Sequence, residues 1–239
     1  MKSIQLISLV TMLTAFVFGE AVAQPATTGK EILAKAIKAT GGNFGGIRGP
    51  LLWMTRGVQH ENGRQEPFVA QYASRWPDWF RWELEGKYTV TVNQSQAWIA
   101  TPQGVTVLAG KDRTETLQMV RLIWAGRLFP LEDEAQYTLK AIPGVRVDSR
   151  ATIGLGVKHT DGHEFQLYFD PDSFLLSKLS ARMGGATVEF FFSAHRSFAG
   201  ARMPAKVRVV VGGKLTTEAE VVASKAGATL DPDFFKVGR

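Results

Sequence analysis

The chain has 239 residues, no cysteine, a formal net charge of +6, and is 45% hydrophobic and 21% charged. These figures exclude disulfides, thiolate metal sites, a cysteine nucleophile and bacterial N-terminal lipidation on cysteine, and they argue against a disordered chain. A length that supports an ordinary core makes one domain the expectation.

Lys2 precedes a short apolar stretch, Leu6 to Phe18, and Ala21-Val22-Ala23 has the small-x-small form of a cleavage site. Residues 1–23 are therefore expected to be a signal peptide, and residues 24–239 a single exported domain. The stretch is shorter than the roughly 20 apolar residues that span a bilayer. Loss of Lys2 and Glu20 together leaves the net charge unchanged. Basic residues are scattered along strands and not gathered on one helix, so nucleic acid is not expected as a partner.

Thr28 to Thr40 reads as a helix, with Thr28 and Glu31 as a capping box, Ile32, Leu33, Ala36 and Ile37 as an apolar stripe, and Gly41-Gly42 as the stop. Period-two runs follow, separated by turn residues. Strands are expected over 48–60, 66–74, 79–85, 87–93, 96–100 and 105–109. In the third, Phe80, Trp82 and Leu84 alternate with Arg81, Glu83 and Glu85. Thr114 to Trp124 then places Leu117, Val120, Ile123 and Trp124 at helical spacing, a second amphipathic helix inserted in the meander. Strands resume over 137–142, 151–159, 164–169, 175–181, 187–194, 205–211 and 215–224. Gly154 and Gly156 within one of them mark a bulge or close packing. The tail Leu230-Asp231-Pro232-Asp233-Phe234-Phe235 is expected to dock its aromatics on the sheet.

About a dozen antiparallel strands with two helices make a mainly β (α+β) fold, and a sheet that wide must curl, close or split. Several strands are apolar on both faces, such as Leu51 to Met54 and Phe190 to Phe192. One face must then meet a helix lid or a lipid.

Arg75-Trp76-Pro77-Asp78-Trp79-Phe80-Arg81-Trp82-Glu83 and the later Ala97-Trp98-Ile99-Ala100 resemble the hairpins of the periplasmic outer-membrane lipoprotein carriers, the LolA/LolB-like family. Leu167-Tyr168-Phe169-Asp170-Pro171, Gly200-Ala201-Arg202-Met203-Pro204 and Leu230 to Phe235 are similar to a "Y-F-D-P … G-x-x-x-P … L-D-x-x-x-F" progression in that group's relatives. Where the carriers have Asp-Gly before the aromatic strand, this chain has Asn93-Gln94-Ser95-Gln96. The resemblance implies an unclosed β-barrel whose helices form a lid over an apolar cavity for acyl chains. It also implies a periplasmic carrier or chaperone that binds a lipid or acylated lipoprotein. The alternative on the same fold is a lipid-sensing module with an inner- or outer-membrane protein partner. A monomer is expected, with no cofactor.

Trp53, Phe80, Trp82, Trp98, Leu117, Val120, Trp124, Phe190 and Phe192 are the candidate cavity residues. Arg56, Arg75 and Arg81 are candidates for its rim, since a guanidinium suits a headgroup or a backbone carbonyl. No catalytic set can be assembled around His60, His159, His163 and His195, and no Gly-x-Ser-x-Gly occurs. His159 and His163 flank the Thr160-Asp161-Gly162 turn, so a metal site with Asp161 is conceivable, but two turn-flanking histidines is the ordinary reading.

Overall fold

The structure is a computed structural model that describes residues 27–41, 49–61, 63–198 and 200–236. The expected signal peptide lies outside the described residues.

Helix α1 (Gly29–Ala39) begins with the expected capping box: Glu31 N donates to Thr28 Oγ1 at 3.2 Å and Thr28 N to Glu31 Oε2 at 2.8 Å. Six strands follow as a meander, β1 (Leu51–Glu61), β2 (Arg64–Arg75), β3 (Trp79–Leu84), β4 (Tyr88–Asn93), β5 (Gln96–Thr101) and β6 (Gly104–Val107). Helix α2 (Gly110–Ala125) starts four residues before its expected start, because its first turn is polar and exposed and so carries no apolar period. A 3-10 turn (Phe129–Glu132) leads to β7 (Tyr137–Ile142).

The expected strand over 151–159 is two pieces. A small hairpin of β8 (Arg146–Val147) and β9 (Arg150–Ala151) is followed by β10 (Ile153–His159). Thr152 ends the pairing between the pieces, where its Oγ1 accepts from Val145 N at 3.0 Å and donates to Val145 O at 2.7 Å. The chain continues through β11 (Glu164–Phe169), β12 (Leu176–Met183) and β13 (Ala186–Ser193). A second small hairpin, β14 (Arg196–Phe198) and β15 (Ala201–Met203), precedes β16 (Lys206–Val211) and β17 (Lys214–Ala226).

Thirteen strands form one antiparallel sheet in the order β6-β5-β4-β3-β2-β1-β17-β16-β13-β12-β11-β10-β7. The end strands β6 and β7 do not pair, so the sheet curves without closing. Strand β17 joins the two halves: Leu51 to Gln59 pair with Ala226 to Thr217 on one side, and Lys206 to Val211 with Glu220 to Lys214 on the other. Bulges at Met54/Thr55 and Val209/Val210 add bend and twist at this seam. Gly57 sits there too, and a Cβ on it would meet Glu218 O at 2.0 Å and the Phe68 ring at 2.9 Å. Gly154 permits close packing as expected, since a Cβ would stand 2.7 Å from Ile142 and from Pro143 O.

Two apolar clusters fill the concave side. The first packs Ile32, Leu33 and Ala36 of α1 with Leu122 and Ala125 of α2 onto β10 to β13, including Leu155, Leu167 and Leu179. The second packs Val120 and Trp124 of α2 and Phe129 onto Phe80, Val92 and Ala97. Each such large side chain, fully buried, contributes about 1.5–3 kcal/mol. Helix α2 therefore straddles both clusters. The tail docks on the sheet as expected, and it does so on the opposite face. Phe235 is buried edge-on against Trp79 at 5.4 Å, and Phe234 lies under the Arg81 guanidinium at 4.8 Å. Among the described residues no helix is long and apolar enough to cross a membrane.

Candidate functional site

Helix α1 rests on β7 and β10, and α2 on β5 and β12. The strands between those supports receive less cover. Neither β16 nor β17 has a single buried residue, although both lie near the middle of the sheet. Their concave-facing side chains, including Val207, Val209, Ala219 and Val221, line a cavity of about 230 Å³. Aromatic walls come from Trp53 and Tyr72 on one side and Phe190 and Phe192 on the other. Trp53 and Tyr72 stack at 4.7 Å with 5° between their planes, and Phe190 and Phe192 lie nearly parallel at 6.4 Å. Leu122 and Ile123 of α2 and the residues after it close the top.

One charged group stands in this apolar wall. Arg127, two residues beyond α2, is 6% exposed and lines the cavity. Its guanidinium carbon lies 4.8 Å from the Trp53 ring and 4.4 Å from the Trp124 ring. Nη2 donates to Ser74 Oγ at 3.0 Å, and Ser74 Oγ donates to Leu51 O at 3.4 Å. Nη1 is buried with no partner, and so is Trp124 Nε1. Among the described residues no carboxylate forms an ion pair with Arg127. Burial lowers its pKa to about 9, so it remains charged near neutral pH. An unpaired buried charge costs several kcal/mol, on the order of 3–5, and two ring faces at about 0.5–2 kcal/mol each offset part of it.

No family model matches the sequence, and no curated protein does. Solved structures do match in shape. A LolA superfamily protein from Nitrosomonas europaea superposes with a TM-score of 0.62 at 12% identity, over 88% of this chain and 98% of that one. A DUF1329 family protein from Desulfovibrio piger gives 0.60 at 13% identity, over 87% and 97%. A domain named for outer membrane lipoprotein sorting, from Vibrio parahaemolyticus, gives 0.58 at 11% identity, over 87% and 96%. The chain has a LolA-like fold. The unclosed barrel with two helices is the architecture that the resemblance implied.

On this LolA-like fold, the residues singled out from the sequence separate into three groups. Trp53, Phe190 and Phe192 line the cavity, and Trp124 meets it through Arg127. Phe80, Trp82, Leu117 and Val120 belong to the second apolar cluster beside it, Phe80 with no exposure at all. Trp98 faces the other way: it pairs with Thr91, which pairs with Arg81, so it shares the face on which the tail docks. None of the three rim arginines reaches the LolA-like cavity. Arg56 alternates with cavity-facing Thr55 and points into a charged groove, Arg75 is exposed, and Arg81 is engaged with Phe234 and Glu83. That groove, about 800 Å³, is larger than the cavity but is lined by Arg56, Lys206, Arg208, Glu218 and Glu220. Several of those charges are paired, Glu220 with Arg196 at 2.6 Å and Arg208 with Asp148 at 2.9 Å. Most of the rest of the groove's lining, including Val58, Pro67, Phe68 and Val207, is apolar, so an acyl chain there would lie beside charges on an open surface.

The histidine turn ties the lid down. Arg121 of α2 meets Asp161 Oδ2 at 2.8 Å, His159 Nδ1 meets Asp161 Oδ1 at 2.8 Å, and Arg121 Nη1 approaches His163 Nδ1 at 3.5 Å. Burial acts against the Asp161 charge, but the His163 backbone N–H, His159 and Arg121 together hold its carboxyl at about 2. A cation thus occupies the position the sequence left open to a metal, and among the described residues no three metal-ligating side chains cluster. Arg127 was absent from the sequence-based candidates. Its signal was present: it is the one charge in the run from Ile123 to Leu131.

Proposed function

We propose that the protein is an exported, periplasmic carrier that holds the acyl chain of a lipid or lipoprotein in the concave cavity, and that its role is binding without covalent chemistry. The observation that carries this reading is the pair of mid-sheet strands, β16 and β17, whose apolar concave faces are lined with space and not with a helix. Water against Val209, Val221, Phe190 and Phe192 is unfavourable, and a methylene chain removes it at about 0.8 kcal/mol per buried CH₂. A chain of about fourteen methylenes contributes roughly 11 kcal/mol; losing about 3 of that to ordering leaves roughly micromolar affinity. At about 230 Å³ the cavity is smaller than the roughly 300–1,000 Å³ typical of small-molecule pockets. Loading a full chain therefore requires α2 to lift. The name of the Vibrio parahaemolyticus domain, outer membrane lipoprotein sorting, agrees with this reading.

Filling the space tests it. Val221→Phe places a larger ring where there is room, so circular dichroism and melting temperature should stay close to wild type. Binding of an apolar fluorescent dye, and its displacement by long-chain acyl compounds, should weaken by about tenfold or more. Wild-type protein that binds no acyl chain, or a variant that binds as well as wild type, would sink the carrier reading.

A further inference from the structure

We infer that Arg127 is a binding residue for an anionic head, carboxylate or phosphate, carried into the cavity on a single acyl chain. The inference rests on the acyl-chain reading above and adds which chains the site takes. Three observations carry it.

The first is the absence of a counter-ion. A guanidinium that is 6% exposed normally has a carboxylate, and this one has a hydroxyl, Ser74, on Nη2 and no partner on the buried Nη1. The unpartnered Nη1 belongs to a side chain in the wall of a cavity with room for a ligand, so the missing acceptor has a place to arrive. Burial lowers its proton affinity but leaves it cationic near neutral pH, and the acceptor that best completes it is an anion.

The second is the way the group is held. Trp53 and Trp124 lie against the guanidinium, Ser74 anchors Nη2, and Trp53 is itself stacked on Tyr72. Three elements, β1, β2 and α2, thus fix the fork before any ligand is present. Nη1 is left with its donors unpaired, and the planar fork suits the two oxygens of a carboxylate or phosphate.

The third is the composition of the rest of the wall. Apart from the hydroxyls of Thr55, Tyr72, Thr217 and Ser224 the wall is apolar and Arg127 is its one charge, so head and tail have separate places: the head at Arg127, the tail along Phe190, Phe192, Val209 and Val221. Trp124 Nε1, also buried and unpartnered, is a second donor on a side chain in contact with that same guanidinium.

The test compares dodecanoate, dodecyl phosphate, dodecanol and dodecyltrimethylammonium, each below its micellar concentration, by calorimetry on the full mature protein near neutral pH. One or both anions should bind at least about tenfold tighter than the alcohol, and the cation should bind worst. Preference for dodecanoate identifies a fatty-acid carboxylate as the head, and preference for dodecyl phosphate a phospholipid phosphate. Arg127→Met should remove the preference while keeping the alcohol's affinity within about threefold, and Arg127→Lys, which keeps the charge and loses the fork, should fall between. If Arg127→Met does not fold, Arg127→Lys decides: a preference undiminished in it overturns the assignment to the fork. Alcohol and anions binding equally to wild type would overturn the role of Arg127 and leave the carrier reading standing. Failure of all four to bind would overturn both.

Discussion

Strands β11 and β17 belong to one sheet and have opposite surroundings. Strand β11 buries Phe165, Leu167 and Phe169 because α1 and α2 pack over that side of the sheet, and it buries Tyr168 on the other face. Strand β17 has thirteen residues and lies centrally, yet none of them is buried. Strand β17 is the more polar of the two, yet it still turns Ala219 and Val221 inward. What separates them is the cover: α2 rests on β5 and β12, to either side of β17, and the gap it bridges becomes the cavity. In this fold, centrality in the strand order marks the site and not the core.

The sharpest way to break that comparison is to truncate on both sides of it. Phe169→Ala, with no exposure to begin with, should cost about 3–5 kcal/mol in urea unfolding. Val221→Ala on β17 should cost about 1 kcal/mol or less, since its side chain already borders empty space. Equal costs would mean that β17 is core after all.

A smaller effect is expected at the seam. Gly57→Val puts a side chain on the Glu218 carbonyl and the Phe68 ring, so the β1–β17 pairing must shift. A loss of about 2 kcal/mol, with faster amide exchange at Thr55 and Val221, is the expected outcome. Wild-type exchange there would show that the close approach is not needed.

The smallest effect concerns the lid. The Asp161 carboxyl is held at about 2, below its ordinary 3.8, so its contribution is complete above about pH 4 and is lost as pH falls toward 2. Its side chain is 46% exposed, which keeps that contribution below about 1 kcal/mol. Asp161→Asn should therefore flatten the acid limb of stability over that interval, and dye should enter faster because α2 is less firmly tied. An unchanged acid limb would place the titration elsewhere.

Local features were legible in the sequence to the extent that they are local. The Thr28–Glu31 capping box, the alternation of Phe80 and Leu84 with half-buried partners, and the docking of Phe235 each depend on neighbours or on plain hydrophobicity. Trp98 shows where that stops. Ala97, Trp98 and Ile99 are all apolar, so parity could not say that Ala97 faces the α2 cluster and the tryptophan the other face. Arg56, Arg75 and Arg81 drew notice as arginines among aromatics, but alternation and the tail direct them away. Arg127 needed the opposite logic, since a lone charge in an apolar run signals burial and not a rim. The cavity itself depends on β17 pairing with β1, and no short-range pattern encodes that choice.

That pairing also has a consequence for how the molecule is made. Strands β1 to β6 and β10 to β13 each pair with a neighbour in sequence, so both halves can zip up early with little loop entropy to overcome. Leu51 with Ala226 and Gln59 with Thr217 bring together partners separated by most of the chain. A chain caught before β17 meets β1 exposes those two strands as bare edges beside an apolar face, the state most prone to aggregate. It also has no chamber, because its two walls have yet to meet. The step that ends folding is thus also the step that forms the cavity.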